Sequence, residues 1–197
     1  MPNFMAMDEI LKYLSDFMQR KHEGFPHQQL TRGPLEILKK CRSTPLIKDL
    51  FVTDIGYFPA SAGHLVDRPN GCETNIMIFC LAGAGWISLS GKRKIPVRQG
   101  GLVFIPAGCA HRYGASEETP WQIRWVHFSG QRSSVYLDRL KGEFFGEVLP
   151  EENDKIVSAF EQAQEVLGEG YTDSGLLLLS ATLSRLLALA IQSKHAH

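Results

Sequence analysis

Apolar residues fall into three regimes along the 197-residue chain. In the first, Met7, Ile10, Leu11, Leu14, Phe17 and Met18 recur at three- and four-residue intervals, the period of one helix face. Asp8 and Glu9 suit the positive end of that helix's dipole. Gly24-Phe25-Pro26 ends it, and Gly33-Pro34 opens a shorter helix running to about Lys40. Residues 1–45 therefore read as a helical amino-terminal segment, either packed on the outside of the central part of the chain or serving as a lid or regulatory arm.

From about Leu50 the period shortens. Phe51–Tyr57, Asn75–Leu81, Trp86–Ser90, Lys94–Val97, Leu102–Ile105, Cys109–Tyr113 and Trp121–Phe128 are short runs with β-branched and aromatic content. Turn residues bound them: Asp67-Arg68-Pro69-Asn70-Gly71, Gly83-Ala84-Gly85, Ser90-Gly91 and Pro106-Ala107-Gly108. Asn75–Leu81 is apolar at successive positions, so both its faces are expected to be covered. Short strands at this spacing, with Gly and Pro between them, predict an antiparallel β-barrel or jelly roll over residues 46–130.

After Phe128 the helical period returns. Gln131–Leu140 reads as a helix. Ile156, Phe160, Ala163 and Leu167 mark a second, and Leu176, Leu179, Leu183, Leu186 and Ala190 a third. Gly168 and Gly170 separate the last two, and Thr172 is placed to cap the third. The pair predicts an αα-hairpin with an apolar seam. The third helix is apolar beyond one seam, so Leu176, Leu179, Leu183 and Leu186 are expected to meet a second copy in a homodimer; packing on the barrel alone is the alternative. Residues 131–197 are thus expected to be a helical dimerisation segment.

Composition narrows the function. Lys plus Arg is 21 and Asp plus Glu is 21, so the formal charge is zero and no basic run offers a surface for nucleic acid. Cys41, Cys72, Cys80 and Cys109 lack metal-ligand spacing and follow no secretory signal, which predicts free thiols in the cytoplasm. No apolar run approaches the ~18 residues of a membrane span, so no membrane association is expected.

The stretch Gly100–Gly114, Gly-Gly-Leu-Val-Phe-Ile-Pro-Ala-Gly-Cys-Ala-His-Arg-Tyr-Gly, resembles the second signature motif of the cupin superfamily, small antiparallel barrels with a pocket inside. His111 and Tyr113 share a strand face there. Metal-binding cupins add a His-x-His and a Glu in an earlier strand. Here Gly71–Gly91 contains no His and only Glu73 as an acid, so no metal and no other cofactor is expected.

Asp67-Arg68-Pro69-x-Gly71, the run Ile76–Ser90, the Gly100–Gly114 motif and Trp125-Val126-His127-Phe128 occur in that order. Together they resemble the amino-terminal sensor domain of AraC-type bacterial transcription regulators. That resemblance implies a barrel binding a small effector, a mono- or disaccharide or a glycoside, and helices that dimerise. DNA would be bound only through a carboxy-terminal helix-turn-helix domain absent from this chain. It also implies a pocket. Arg68 corresponds to an arginine that contacts sugar, Tyr113 to the tyrosine of the His-x-Tyr-Gly segment, and Trp125 to a tryptophan that stacks on a sugar ring. Ile123 replaces a histidine of the family's arabinose sensor, which argues against arabinose itself. His127 shares the face of Ile123 and Trp125, and His111 is a further candidate for hydrogen bonding to ligand. The alternative is a metal-free cupin enzyme, a sugar isomerase or epimerase, with His111 as base and Tyr113 as acid.

Overall fold

The computed structural model describes residues 20–59, 61–139, 145–148 and 150–194. The helix expected over Met7–Met18 lies outside the described residues. Among the described residues ten strands form two antiparallel sheets. The larger contains β1 (Gln29–Arg32), β2 (Phe51–Phe58), β4 (Asn75–Ala82), β7 (Gly101–Ile105), β9 (Gln122–Ser129) and β10 (Phe145–Glu147), in the order β1-β2-β9-β4-β7-β10. The smaller contains β3 (Leu65–Arg68), β5 (Ala84–Leu89), β6 (Ile95–Arg98) and β8 (His111–Ala115), in the order β3-β8-β5-β6. The two enclose one core, giving the cupin-like barrel.

Alternation decides what each face covers. On β4, Ile76, Ile78 and Cys80 point into the barrel, while Met77 and Phe79 point out to the helices. β7 divides likewise, with Val103 and Ile105 inside and Leu102 and Phe104 outside. That is why these strands read as continuous apolar runs. A bulge between Val52 and Asp54 lets β2 turn Val52 and Ile55, three apart, to the same outer core.

The helices are α1 (Leu35–Ser43), α2 (Arg132–Arg139), α3 (Pro150–Gly168) and α4 (Asp173–Lys194). Thr172 caps α4, its hydroxyl accepting from the Gly175 N–H at 3.0 Å. Three elements depart from the sequence reading. β1 joins the sheet from inside the segment expected to be helical, β10 does so from the segment expected to hold helices only, and β3 precedes the Arg68–Gly71 turn. β1 carries a single large apolar residue, Leu30, and owes its form to pairing with β2.

The leucine seam also differs from expectation. Leu179, Leu183 and Leu186 are buried within this chain, against the outer face of the larger sheet and α3. Leu176 packs with Cys41, Ile47 and Phe51 beside α1. The seam is filled by the chain's own sheet because β2, β4 and β7 present apolar side chains outward as well as inward. A second correction concerns length. α4 is apolar enough, by length and composition, to cross a membrane, with a mean hydropathy of 1.8 over an 18-residue window within Asp173–Ser193. Arg185 and several serines interrupt its apolar run, and its buried face is the one on the sheet.

Candidate functional site

One mouth of the barrel holds a cavity of about 70 Å³ lined by residues from both sheets and from the segment before β1. Arg68, Tyr113, Trp125 and His127 all line it, beside Phe58, His64 and Val66. His22, Glu23, Arg32 and Asp54 line it too. Two of the expected residues stand apart. Ile123 is fully buried in the barrel core. His111 lies beyond Tyr113, the two rings stacked at 5.8 Å and 3°.

The two faces of each strand explain the gathering. Arg68 faces His111 across the β3–β8 ladder, and Val66 faces Tyr113. Trp125 lies opposite Gly56 on β2, and a Cβ at Gly56 would stand 2.5 Å from the indole. Gly56 is therefore the floor on which the indole lies flat, a role signalled in sequence only as a glycine inside a strand. The turns below the site pack backbone to backbone. Gly71, at φ +71, leaves no room for a Cβ, which would meet the Gly108 carbonyl carbon at 2.5 Å. Asn75 fastens this end, its side-chain oxygen accepting from the Ala107 N–H at 2.9 Å and its amide donating to the Ser133 hydroxyl on α2 at 3.0 Å.

Phe25 backs two residues of the lining. Its ring meets Phe58 at 5.2 Å and His64 at 5.3 Å. The residues around it are tied down by Gln28, whose side-chain oxygen accepts from the Gly24 and Phe25 N–H groups. The helix-breaking triplet Gly24-Phe25-Pro26 thus lies just behind residues that line the site. His64, Phe58 and Phe25 were not among the residues the sequence pointed to; only the fold brings them together.

Burial sets the protonation states. His64 accepts from the Trp121 indole N–H at 3.1 Å, and desolvation pushes its pKa down to about 3. His127 is lowered to about 3 by burial and then by the positive charges of Arg68, His111 and Arg32. Its Nδ1 pairs with the Thr74 hydroxyl at 2.9 Å. Burial raises Tyr113 to about 12, so the phenol stays neutral. His111 is lowered, chiefly by burial. Its Nδ1 donates to the Cys109 carbonyl at 2.8 Å, leaving Nε2 as an acceptor in the neutral ring. No carboxylate among the described residues orients that ring, which an acid–base role would call for. Among the described residues, no three His, Cys, Asp or Glu side chains converge as a metal-ligand group.

Several buried polar atoms here lack any partner among the described residues: Arg68 Nη1, Trp125 Nε1 and His111 Nε2. Buried groups of this kind are costly when left unpaired; the first two belong to residues that line the cavity, and His111 stands apart from it.

The AraC-like ligand binding domain family matches residues 57–187, well over half of the chain. The chain belongs to this family. It is also 29% identical over 191 residues to the MmsAB operon regulatory protein of Pseudomonas aeruginosa, covering 92% of this chain and 60% of that protein. The chain thus spans about 60% of the length of that relative. Solved structures of similar shape include the Schizosaccharomyces pombe Cnp3 cupin domain, 10% identical with a TM-score of 0.37, over 56% of this chain and 70% of that one. An RmlC-like cupin family protein from Methanocaldococcus jannaschii is 9% identical with a TM-score of 0.31, over 42% and 73%. In this AraC-like domain the matched span runs from the end of β2 into α4, so it takes in most of the barrel and of the helical hairpin.

Proposed function

We propose that this chain is the effector-sensing and dimerisation part of a cytoplasmic transcription regulator, and that its ligand state controls DNA binding by a further, carboxy-terminal domain. The observation that carries the sensing role is the group of unpartnered polar atoms, Arg68 Nη1 and Trp125 Nε1 above all, on residues that line one cavity. The family membership supports it. The enzyme alternative is weaker, because His111 points its Nδ1 at a backbone carbonyl and has no carboxylate behind it among the described residues.

In this reading Arg68, Tyr113, Trp125 and His127 contact the effector, while His111 and Ile123 support that contact from behind. A mono- or disaccharide or glycoside is the effector class implied by the family resemblance, and the flat indole of Trp125 supports a ring-shaped ligand. Dimerisation is proposed for the outer face of α4, where Leu177 and Leu178 are exposed. The test is a thermal-shift screen of metabolites on the wild-type chain and on Trp125→Ala. A ligand that binds only the folded protein raises its melting temperature, and the variant should lose that rise. If every stabilising compound acts equally on both proteins, the cavity is not the sensor site.

A further inference from the structure

Two carboxylates and two arginines line the cavity, but they are not paired one to one. Glu23 and Asp54 are its two carboxylates, and both pair with Arg32; the Asp54 contact is 3.9 Å. Asp67, next to Arg68 in sequence, turns to the outer face and pairs with Arg112 at 3.4 Å. Arg68 therefore has no acidic partner among the described residues, although its Nη1 is buried. Its charge reaches His111, Tyr113 and His127. Arg68 is half-buried, so water screens part of its charge, but its buried Nη1 lacks an acceptor unless something else supplies one.

The second unpartnered atom lining the cavity, Trp125 Nε1, is a donor only. Guanidinium and indole N–H together present donors and ask for acceptors. A carboxylate offers two oxygens and a negative charge, and its planar shape matches the arginine fork. Size points the same way. The cavity holds about 70 Å³, well below the roughly 300 Å³ at which sites for drug-sized ligands begin. Phe58, Val66 and the indole face give the wall an apolar part, beside the polar His64, Tyr113 and His127.

We propose that the effector is a small organic acid, its carboxylate held by the Arg68 guanidinium and the Trp125 indole N–H, its short carbon skeleton against Phe58 and Val66. This rests on the sensor role proposed for the cavity and replaces the saccharide as its ligand class.

The experiment is a thermal-shift series on the wild-type chain at constant ionic strength. One set runs through straight-chain acids from acetate to octanoate, with lactate, 3-hydroxybutyrate and benzoate. A second contains the primary amide of each, and a third arabinose, glucose and their methyl glycosides. An acid is expected to raise the melting temperature by several degrees at millimolar concentration while its amide does not. Arg68→Gln should abolish that rise. Trp125→Phe, which keeps a ring and drops the N–H, should reduce the rise. An acid-induced shift that persists in Arg68→Gln overturns the proposal. A shift from sugars and none from acids overturns the acid and leaves the sensor reading standing; no shift from any set overturns both.

Discussion

At the scale of single residues, the site depends on groups held in states that water would not favour. His64 and His127 have folded-state pKa values of about 3, below the ordinary 6.5. Between these values the unfolded chain takes up protons that the folded chain refuses. Stability is therefore complete above about pH 6.5 and falls as the pH drops toward 3. The slope approaches about 1.4 kcal/mol per pH unit for each histidine. Urea denaturation at pH 7, 6, 5 and 4 should show this decline, and His64→Gln should flatten it. Gly56 gives a second prediction. Because a Cβ there would overlap the Trp125 ring, Gly56→Ala should push the indole into the cavity. A stability loss of about 1–3 kcal/mol is expected from the overpacking, together with weakened effector binding. Calorimetric titration and thermal melting on the same variant separate the two effects.

Among the elements, β9 connects the cavity to the helices. Trp125 points inward from it and Arg124, its neighbour, points outward, 8% exposed. The Arg124 guanidinium donates to Glu161 on α3 at 2.8 Å and also to Gln164, and it lies 4.9 Å from the Tyr57 ring. Glu161 is itself 58% exposed, so solvent screens the pair and its worth is modest. Glu161→Ala should cost about 1 kcal/mol, more than an ordinary surface substitution, because it leaves a mostly buried cation with one neutral partner. Melting curves at low and high salt should show the difference shrinking with salt. The same strand explains why β4 and β7 read so clearly as strands. They are covered on both faces, by the barrel core and by α3 and α4, and so carry uninterrupted apolar runs. β1 and β10 are edge strands held by one neighbour each, with little composition of their own.

Taken whole, the molecule is a barrel with a helical hairpin across one outer face, and this arrangement changes what the leucines of α4 do. Leu183 is 1% exposed within a single chain. Leu183→Glu should therefore unfold the protein, by burying an unpaired charge, instead of yielding a folded monomer. The proposed homodimer must use the other face, where Leu177 and Leu178 are 43% and 46% exposed and Ala181 and Ala188 leave room for close approach. Leu178→Glu is expected to leave the melting temperature of the protomer nearly unchanged and to shift a dimer to a monomer in sedimentation. A wild-type chain that sediments as a monomer at micromolar concentration removes the dimer.

The amino-acid sequence alone determined the barrel, the two long helices and the cap at Thr172. These come from local rules: the period of apolar residues, the turn chemistry of Gly and Pro, and the side-chain hydrogen bond of a capping threonine. Arg68, Tyr113, Trp125 and His127 were also legible as a set, through motif resemblance, and the fold brings the four to one cavity. Which face of α4 is free was not legible, because an apolar stripe looks the same whether it meets the chain's own sheet or a second copy. Nor was the lack of an acid partner for Arg68 among the described residues. Asp67 is adjacent in sequence, but the alternation of a strand sends it to the opposite face, where Arg112 takes it. Phe25, Phe58 and His64 come from three separate segments and meet only when the sheets close. Charge balance and enclosure are properties of positions in space, and the tertiary structure alone decided them.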